Sequence, residues 1–224
     1  MTIPIADIFV GYQGEGLTAG LRTCFIRTSG CNLVEEQKSP CTFCDTPYAW
    51  KKEQAKKLFE LDALIKYVDH LCLVTGTHNI CLTGGEPLFH LSELVEAINW
   101  WKYRYALDIE TNGSLLIWLD SNILWSMDIK CPSSGNSQFN IYYNVHLLTQ
   151  KDWIKFVIQT KKDFDFAVDI VKSRIIHPTV IFQPSWGLLK PSKLIEWMSQ
   201  DRDLGHIRIG CRNNIIYPPS SSCI

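Results

Sequence analysis

Three cysteines stand close together, Cys31, Cys41 and Cys44, with nine residues and then two between them. Three thiolates can hold three irons of a four-iron cluster and leave the fourth iron open to a ligand. Zinc is the rival, because structural zinc takes four ligands, commonly from two Cys pairs. Cys41 and Cys44 form one such pair, the chain has no second Cys-x2-Cys, and the nearest histidine is His70. The spacing favours a cluster over zinc, and both over three inert thiols. The intervening Glu35-Glu36-Gln37-Lys38-Ser39-Pro40 is polar and must be solvated loop.

A second group follows the next strand-like run: Thr83-Gly84-Gly85-Glu86-Pro87. Two glycines let backbone approach a ligand closely, and their amides and carbonyls can bind the ammonium of an amino acid. Alone the segment is a turn. Following a three-cysteine loop by one strand, it reads as part of a site.

These residues need a framework. The strand-like runs are Thr23–Thr28, Asn79–Thr83, Leu107–Glu110, Leu124–Ile129, Trp153–Ile158, Val180–Gln183 and His206–Ile209, several β-branched and bounded by Gly, Pro or Ser. Helical periodicity covers Leu61–Val74, with Leu61, Leu64, Ile65 and Val68 on one face, and Leu91–Tyr105, with Leu91, Leu94, Val95 and Ile98. Phe164–Arg174 and Pro191–Gln200 read as two further helices. Strand alternating with helix predicts a parallel sheet with right-handed crossovers. The expected fold is α/β, a partial TIM-like β/α barrel of about six parallel strands. The unusual segments SGCN, TGGEP, TNG, KCPSS and QPSWG fall after strands, where barrel sites collect.

The 224 residues are expected to form one domain over 1–224, with a C-terminal extension from about residue 205. A net charge of −1 gives no global field for nucleic acid or anionic membrane. Residues 1–20 lack the basic and apolar regions of a secretion signal, and no apolar run is long enough for a bilayer. A cytoplasmic, soluble protein without membrane or nucleic-acid partners is expected. In a reducing compartment nine cysteines read as a metal site plus inert thiols, among them Cys24, Cys72 and Cys81.

Cys41-x-Phe43-Cys44 followed by GGEP resembles the radical S-adenosylmethionine superfamily. The interval after Cys31 is longer than usual there, and insertion into a solvated loop costs little. The flanks narrow the resemblance. Phe9-Val10-Gly11-Tyr12-Gln13-Gly14-Glu15-Gly16, Phe25-Ile26-Arg27-Thr28-Ser29-Gly30-Cys31-Asn32-Leu33 and Cys44-Asp45-Thr46-Pro47-Tyr48-Ala49-Trp50 together resemble the 7-carboxy-7-deazaguanine synthase family. Glu110-Thr111-Asn112-Gly113, the segment Asp128 to Gly135, Lys155-Phe156-Val157-Ile158 and Phe182-Gln183-Pro184 agree. The resemblance covers nearly the whole chain.

It implies a 4Fe-4S cluster on Cys31, Cys41 and Cys44, chelated at its open iron by S-adenosylmethionine. It implies a 5′-deoxyadenosyl radical that takes hydrogen from C6 of 6-carboxy-5,6,7,8-tetrahydropterin. Ring contraction, loss of ammonia and return of the hydrogen would follow, assisted by Mg²⁺. Cofactor contacts would come from Phe43, Cys44, Asp45, Gly84, Gly85, Glu86, Asp128, Ile129, Lys130, Gln183 and Pro184. Substrate contacts would come from Tyr12, Gln13, Gly14, Glu15, Arg27 and Thr83. Arg27 offers a bidentate fork for the substrate carboxylate, against a surface ion pair. Gln13 and Glu15 can read the donor and acceptor edge of a pterin, against a polar turn. Thr46 is an oxygen ligand suited to Mg²⁺, against a loop cap. Tyr48 and Trp50 either wall the site or pack. The resemblance also implies a homodimer and an external electron donor of flavodoxin or ferredoxin type.

Family members often carry Gln-x-His-Lys near the C-terminus, where this chain has Cys211 to Pro219, and Asn214 receives no role. Two alternatives carry other expectations: an activating enzyme that makes a glycyl radical on a partner protein, and a non-catalytic zinc-binding interaction module.

Overall fold

The computed structural model describes residues 2–173 and 176–210. Cys211 to Pro219 and Asn214, on which the C-terminal departure rests, lie outside the described residues, as does Arg174 at the end of one expected helix. In chain order the elements are β1 (Thr2–Tyr12), β2 (Arg22–Thr28), α1 (Asn32–Glu35), β3 (Lys57–Glu60), α2 (Leu61–Thr75), β4 (Asn79–Gly84), α3 (Leu91–Trp101) and β5 (Ala106–Thr111). They continue with β6 (Ile123–Asp128), α4 (Asn144–Leu147), β7 (Trp153–Ile158), α5 (Lys161–Ser173), β8 (Thr179–Pro184), α6 (Pro191–Ser199) and β9 (Arg208–Ile209).

Among the described residues the strands form one open sheet in the order β3-β1-β2-β4-β5-β6-β7-β8-β9. From β2 to β9 every neighbouring pair is parallel. That is seven parallel strands where about six were expected, and each coincides with a strand-like run of the sequence. The expected parallel sheet needs one correction. β1 runs antiparallel to both β2 and β3, so one margin is a three-strand meander. β1 escaped the periodicity because Ile3, Pro4, Ile5 and Ala6 are all buried, which erases alternation, and its register shifts between Ile5 and Asp7.

The helices cover the outer face. α2 turns Leu64, Val68 and Cys72 into the core, and ends at Gly76, whose φ of 63° suits a left-handed cap. α3 buries Leu94, Ala97, Ile98 and Trp101 and stops there, short of the expected Tyr105. Val95, expected on its buried face, is exposed. Along each central strand residues alternate. Cys24, Ile26, Ile80, Leu82, Leu107, Ile109, Trp125, Met127, Ile154, Phe156, Val180 and Phe182 join the helix-packed core. Their neighbours Phe25, Arg27, Thr83, Glu110, Ser126, Asp128, Lys155, Val157 and Gln183 line a cavity on the concave side. Cys24, Cys72 and Cys81 are buried, as expected of inert thiols.

Candidate functional site

The cavity is about 560 Å³, within the range of sites that enclose a small molecule. The parallel strands bring their C-terminal ends to one rim. The three cysteines reach the cavity there, Cys31 directly after β2 and Cys41 and Cys44 on the loop that returns. The stretch between them begins as α1, and Glu36, Gln37, Lys38 and Pro40 are exposed, so the insertion is solvated as expected. The loop is tied down at both ends. Cys31 N donates to Trp50 O at 2.9 Å, and Thr42 N and Oγ1 donate to Ser134 O and Ser133 O at 3.2 and 2.6 Å. Burial pushes the Cys31 thiol up to about 11 and raises Cys41 as well. Such thiols give up their protons to a metal centre. Among the described residues no three His, Cys, Asp or Glu side chains converge as ligands of a single metal ion. Three thiolates lining one cavity, with no second Cys pair in the chain and no histidine in the described lining, are a donor set that would suit a four-iron cluster better than a four-ligand zinc.

The Gly84-Gly85 segment has a different reason for its glycines from the one expected. A Cβ at Gly84 would lie 2.4 Å from Thr28 O, and one at Gly85 2.4 Å from Gly30 O. The close approach is to the backbone that leads into Cys31, and Gly85 N and Glu86 N bond Thr28 O and Gly30 O at 3.1 and 2.9 Å. Both glycines still line the cavity. Glu86 does not. Its fully buried carboxylate accepts from Leu88 N, Thr111 Oγ1 and Asn112 N, at 3.1, 2.9 and 2.7 Å. It clasps the loop after β4 to the loop after β5, and burial pushes it up to about 7 against those donors.

Gln13 and Glu15 reach the cavity from the loop after β1, which crosses beneath the strands. Gly16 lies against the Trp153 ring at the start of β7, and Thr18 Oγ1 donates to Asp108 Oδ2 at 3.4 Å. Gln13 is buried, and both ends of its amide are engaged. Its Oε1 accepts from Gly14 N at 2.8 Å and Glu15 N at 3.3 Å, while Nε2 donates to Glu110 Oε1 at 3.0 Å. Thr83 Oγ1 donates to Glu110 Oε2 at 2.7 Å. Gln13 and Thr83 therefore hold Glu110 in place, and Glu110 presents the carboxylate. Glu15 pairs with Lys155 at 2.6 Å; Lys155 lies 3.3 Å from Asp128, and Asp128 is 2.7 Å from Lys130. Burial pushes Asp128 up, but the two lysines more than offset it and hold the carboxyl below its usual range. Burial lowers Lys155, and Asp128 and Glu15 overcome this to keep it firmly charged.

Arg27 faces the same cavity, and among the described residues its buried Nε has no hydrogen-bond partner. That argues against an internal ion pair and for an absent anionic acceptor. Gln183 Oε1 is likewise buried without a partner among them, and Gln183 and Pro184 line the wall. Phe43, Asp45, Thr46, Asp128 and Lys130 line it too. Thr46 stands at the cap position of the short helix Pro47–Ala49, but its side chain makes no capping bond. Its hydroxyl is 3.6 Å from Cys44 Sγ, so the loop-cap reading loses ground. Trp50 walls the site and Tyr48 is exposed outside it.

Tyr12, Gly14 and Ile129 join Glu86 outside the cavity lining. Tyr12 stacks against Arg22 at the opposite end of β2, Gly14 serves the Gln13 turn, and Ile129 packs into the outer core. Sequence reasoning gave no role to Glu110 or Lys155. Alternation in Leu107-Asp108-Ile109-Glu110 and Trp153-Ile154-Lys155-Phe156 puts charged residues opposite a buried apolar face, and was the available signal.

No protein-family model matches the chain. It is 37% identical over 188 residues to a 7-carboxy-7-deazaguanine synthase of Methanospirillum hungatei, covering 82% of this chain and 73% of that protein. It is 32% identical over 232 residues to a protein of the same name in Clostridium acetobutylicum, covering 98% of each. The fold resembles that of QueE from Escherichia coli, with a TM-score of 0.68 at 21% identity over 94% of this chain and 93% of that one.

Proposed function

The chain belongs to the 7-carboxy-7-deazaguanine synthase family of radical S-adenosylmethionine enzymes, and from this we propose how its cavity carries out that reaction. It contracts 6-carboxy-5,6,7,8-tetrahydropterin to 7-carboxy-7-deazaguanine with loss of ammonia, a step of 7-deazapurine biosynthesis. This reading replaces both the glycyl-radical activating enzyme and the zinc module. When bound, the cluster and S-adenosylmethionine supply the 5′-deoxyadenosyl radical. The chain's own residues bind, orient and enclose.

The observation that carries the assignment of residues is the unpartnered Arg27 Nε, buried and facing a cavity that also holds the cysteines. Arg27 takes the substrate carboxylate. Glu110, fixed by Gln13 and Thr83, accepts from the N–H edge of the pterin. Glu15, paired with Lys155 at 2.6 Å, adds a second acceptor. Cys31, Cys41 and Cys44 hold the cluster; Gly84 and Gly85 with Asp128, Lys130, Gln183 and Pro184 bind S-adenosylmethionine, and Thr46 contributes one oxygen to Mg²⁺. A single hydroxyl is a weak ligand, so substrate and waters supply the rest. The enzyme acts as a single-domain homodimer in the cytoplasm and draws electrons from a flavodoxin- or ferredoxin-like donor. No helix among the described residues is long and apolar enough to cross a membrane.

The test is anaerobic reconstitution, with iron and sulfide analysis, followed by carboxytetrahydropterin, S-adenosylmethionine, Mg²⁺ and a reductant. One four-iron cluster per chain and the deazaguanine product are expected. Stoichiometric zinc with no iron, or 5′-deoxyadenosine without deazaguanine, would overturn the reading.

A further inference from the structure

Each cluster cysteine is met by a different side-chain N–H. Trp50 Nε1 donates to Cys44 Sγ at 3.1 Å, Asn136 Nδ2 to Cys41 Sγ at 3.5 Å, and Asn112 Nδ2 to Cys31 Sγ at 3.8 Å. The donors come from separate places: the cluster loop itself, the loop after β6 and the loop after β5. We propose that Trp50, Asn136 and Asn112 are positioning residues that set the reduction potential of the cluster held by Cys31, Cys41 and Cys44. The proposal rests on the cluster reading above and goes beyond it.

The orientation of both amides is fixed by other bonds. Asn112 Oδ1 accepts from Ser114 N at 2.9 Å, which turns its NH2 toward Asn32 and Cys31. Asn136 Nδ2 also donates to Ser134 O at 3.2 Å. A flipped amide would set oxygen against oxygen there and against the Cys41 sulfur. Asn136 is fully buried, and among the described residues its Oδ1 has no partner. An orphaned buried carbonyl is costly, so folding alone does not favour this residue. Ser134 O keeps Thr42 N at 3.2 Å without it, so removing the amide strands nothing there. What the amide provides is a donor toward Cys41.

The chemistry follows from charge. Adding one electron from an external reductant makes the cluster more negative and forms or breaks no covalent bond. An N–H aimed at a thiolate sulfur stabilises that added charge, and hydrogen bonds to cluster sulfurs are among the levers that set such potentials. The shortest contact, from Trp50, exerts the largest effect. Ring bulk is not what matters at Trp50, so phenylalanine does not replace it.

The test is a reductive titration of reconstituted protein, without S-adenosylmethionine or substrate, following the spectrum of the reduced cluster. Trp50→Phe keeps an aromatic ring and removes the N–H. Asn136→Leu keeps the shape and removes donor and orphaned oxygen together. Both are expected to bind as much iron as the parent. Trp50→Phe should lower the midpoint by at least a tenfold shift in the one-electron equilibrium, about 59 mV. Asn136→Leu should lower it less, with a melting temperature no lower than the parent's. A purely structural role moves the melting temperature and leaves the midpoint alone. Midpoints unchanged or raised in both variants would overturn the proposal, and so would failure of both to assemble a cluster that the parent assembles. A parent that takes up no iron would overturn the cluster reading itself.

Discussion

The two faces of the same strands are built to different ends. On β4, Ile80 and Leu82 enter the helix-covered core, while Thr83, next after Leu82, faces the cavity. On β5, Leu107 and Ile109 do the former; Asp108 and Glu110 point the other way. The outer face is apolar and close-packed. Among the described residues the cavity wall has Arg27 Nε and Gln183 Oε1 buried without partners, and the outer core has the indole N–H groups of Trp101 and Trp125. Unmet polar groups cost stability; the two on the cavity wall stand where a bound ligand can supply the missing bonds, whereas the two indoles carry theirs within large apolar rings. The outer face holds the fold and the inner face holds the chemistry.

The division breaks most readily at the outer face. Phe156 is fully buried and meets the Phe182 ring edge-on at 5.5 Å. Phe156→Ala is expected to cost about 3–5 kcal/mol of stability, measured by denaturant unfolding. A loss below about 1 kcal/mol would show that the outer face does not carry the fold.

Asp108 sharpens the inner side. Burial, then the Glu110 charge, raise its carboxyl well above the ordinary 3.8. The folded chain therefore keeps a proton that the unfolded chain has lost. This contribution to stability is full below about pH 3.8 and declines as pH rises toward the folded value. Asp108→Asn removes the decline, so the variant should gain on the parent as pH rises above about 3.8. Melting curves of both proteins across pH check it, and a constant offset between them would contradict the raised carboxyl.

The smallest effect on stability is expected at Thr46, whose side chain caps nothing. Thr46→Val should leave unfolding within about 0.5 kcal/mol of the parent and the cluster spectrum unchanged. The rise of activity with added Mg²⁺ should be weaker. Identical Mg²⁺ titration curves would return Thr46 to a structural role.

Much of this contrast was legible in the sequence. The strand-like runs marked all seven parallel strands, the six from β2 to β8 through an apolar buried face and β9, two exposed residues, through the short run His206–Ile209 alone. β1 was hidden because its first half is buried on both sides, and β3 because four residues carry too little pattern. The cysteines and Arg27 were legible by type and spacing. Tyr12, Gly14, Glu86 and Ile129 were not, since a matching segment says nothing of which way each residue turns. Glu86 is the clearest case: it sits beside the two cavity glycines and points behind the wall to hold the next loop. Glu110 and Lys155 needed strand alternation combined with the curvature of the sheet, which brings β5 and β7 to one cavity.

On the proposed function, the concave face receives the acidic pterin through Arg27. The most direct test of this is the dissociation constant for carboxytetrahydropterin on reconstituted parent and Arg27→Ala, with the melting temperature of each. Loss of a charged hydrogen-bond partner worth about 1.5–3 kcal/mol predicts binding weaker by about 10- to 150-fold. The fold and the uncoupled cleavage of S-adenosylmethionine should be preserved. An unchanged dissociation constant, or loss of substrate binding and S-adenosylmethionine cleavage together, would contradict it.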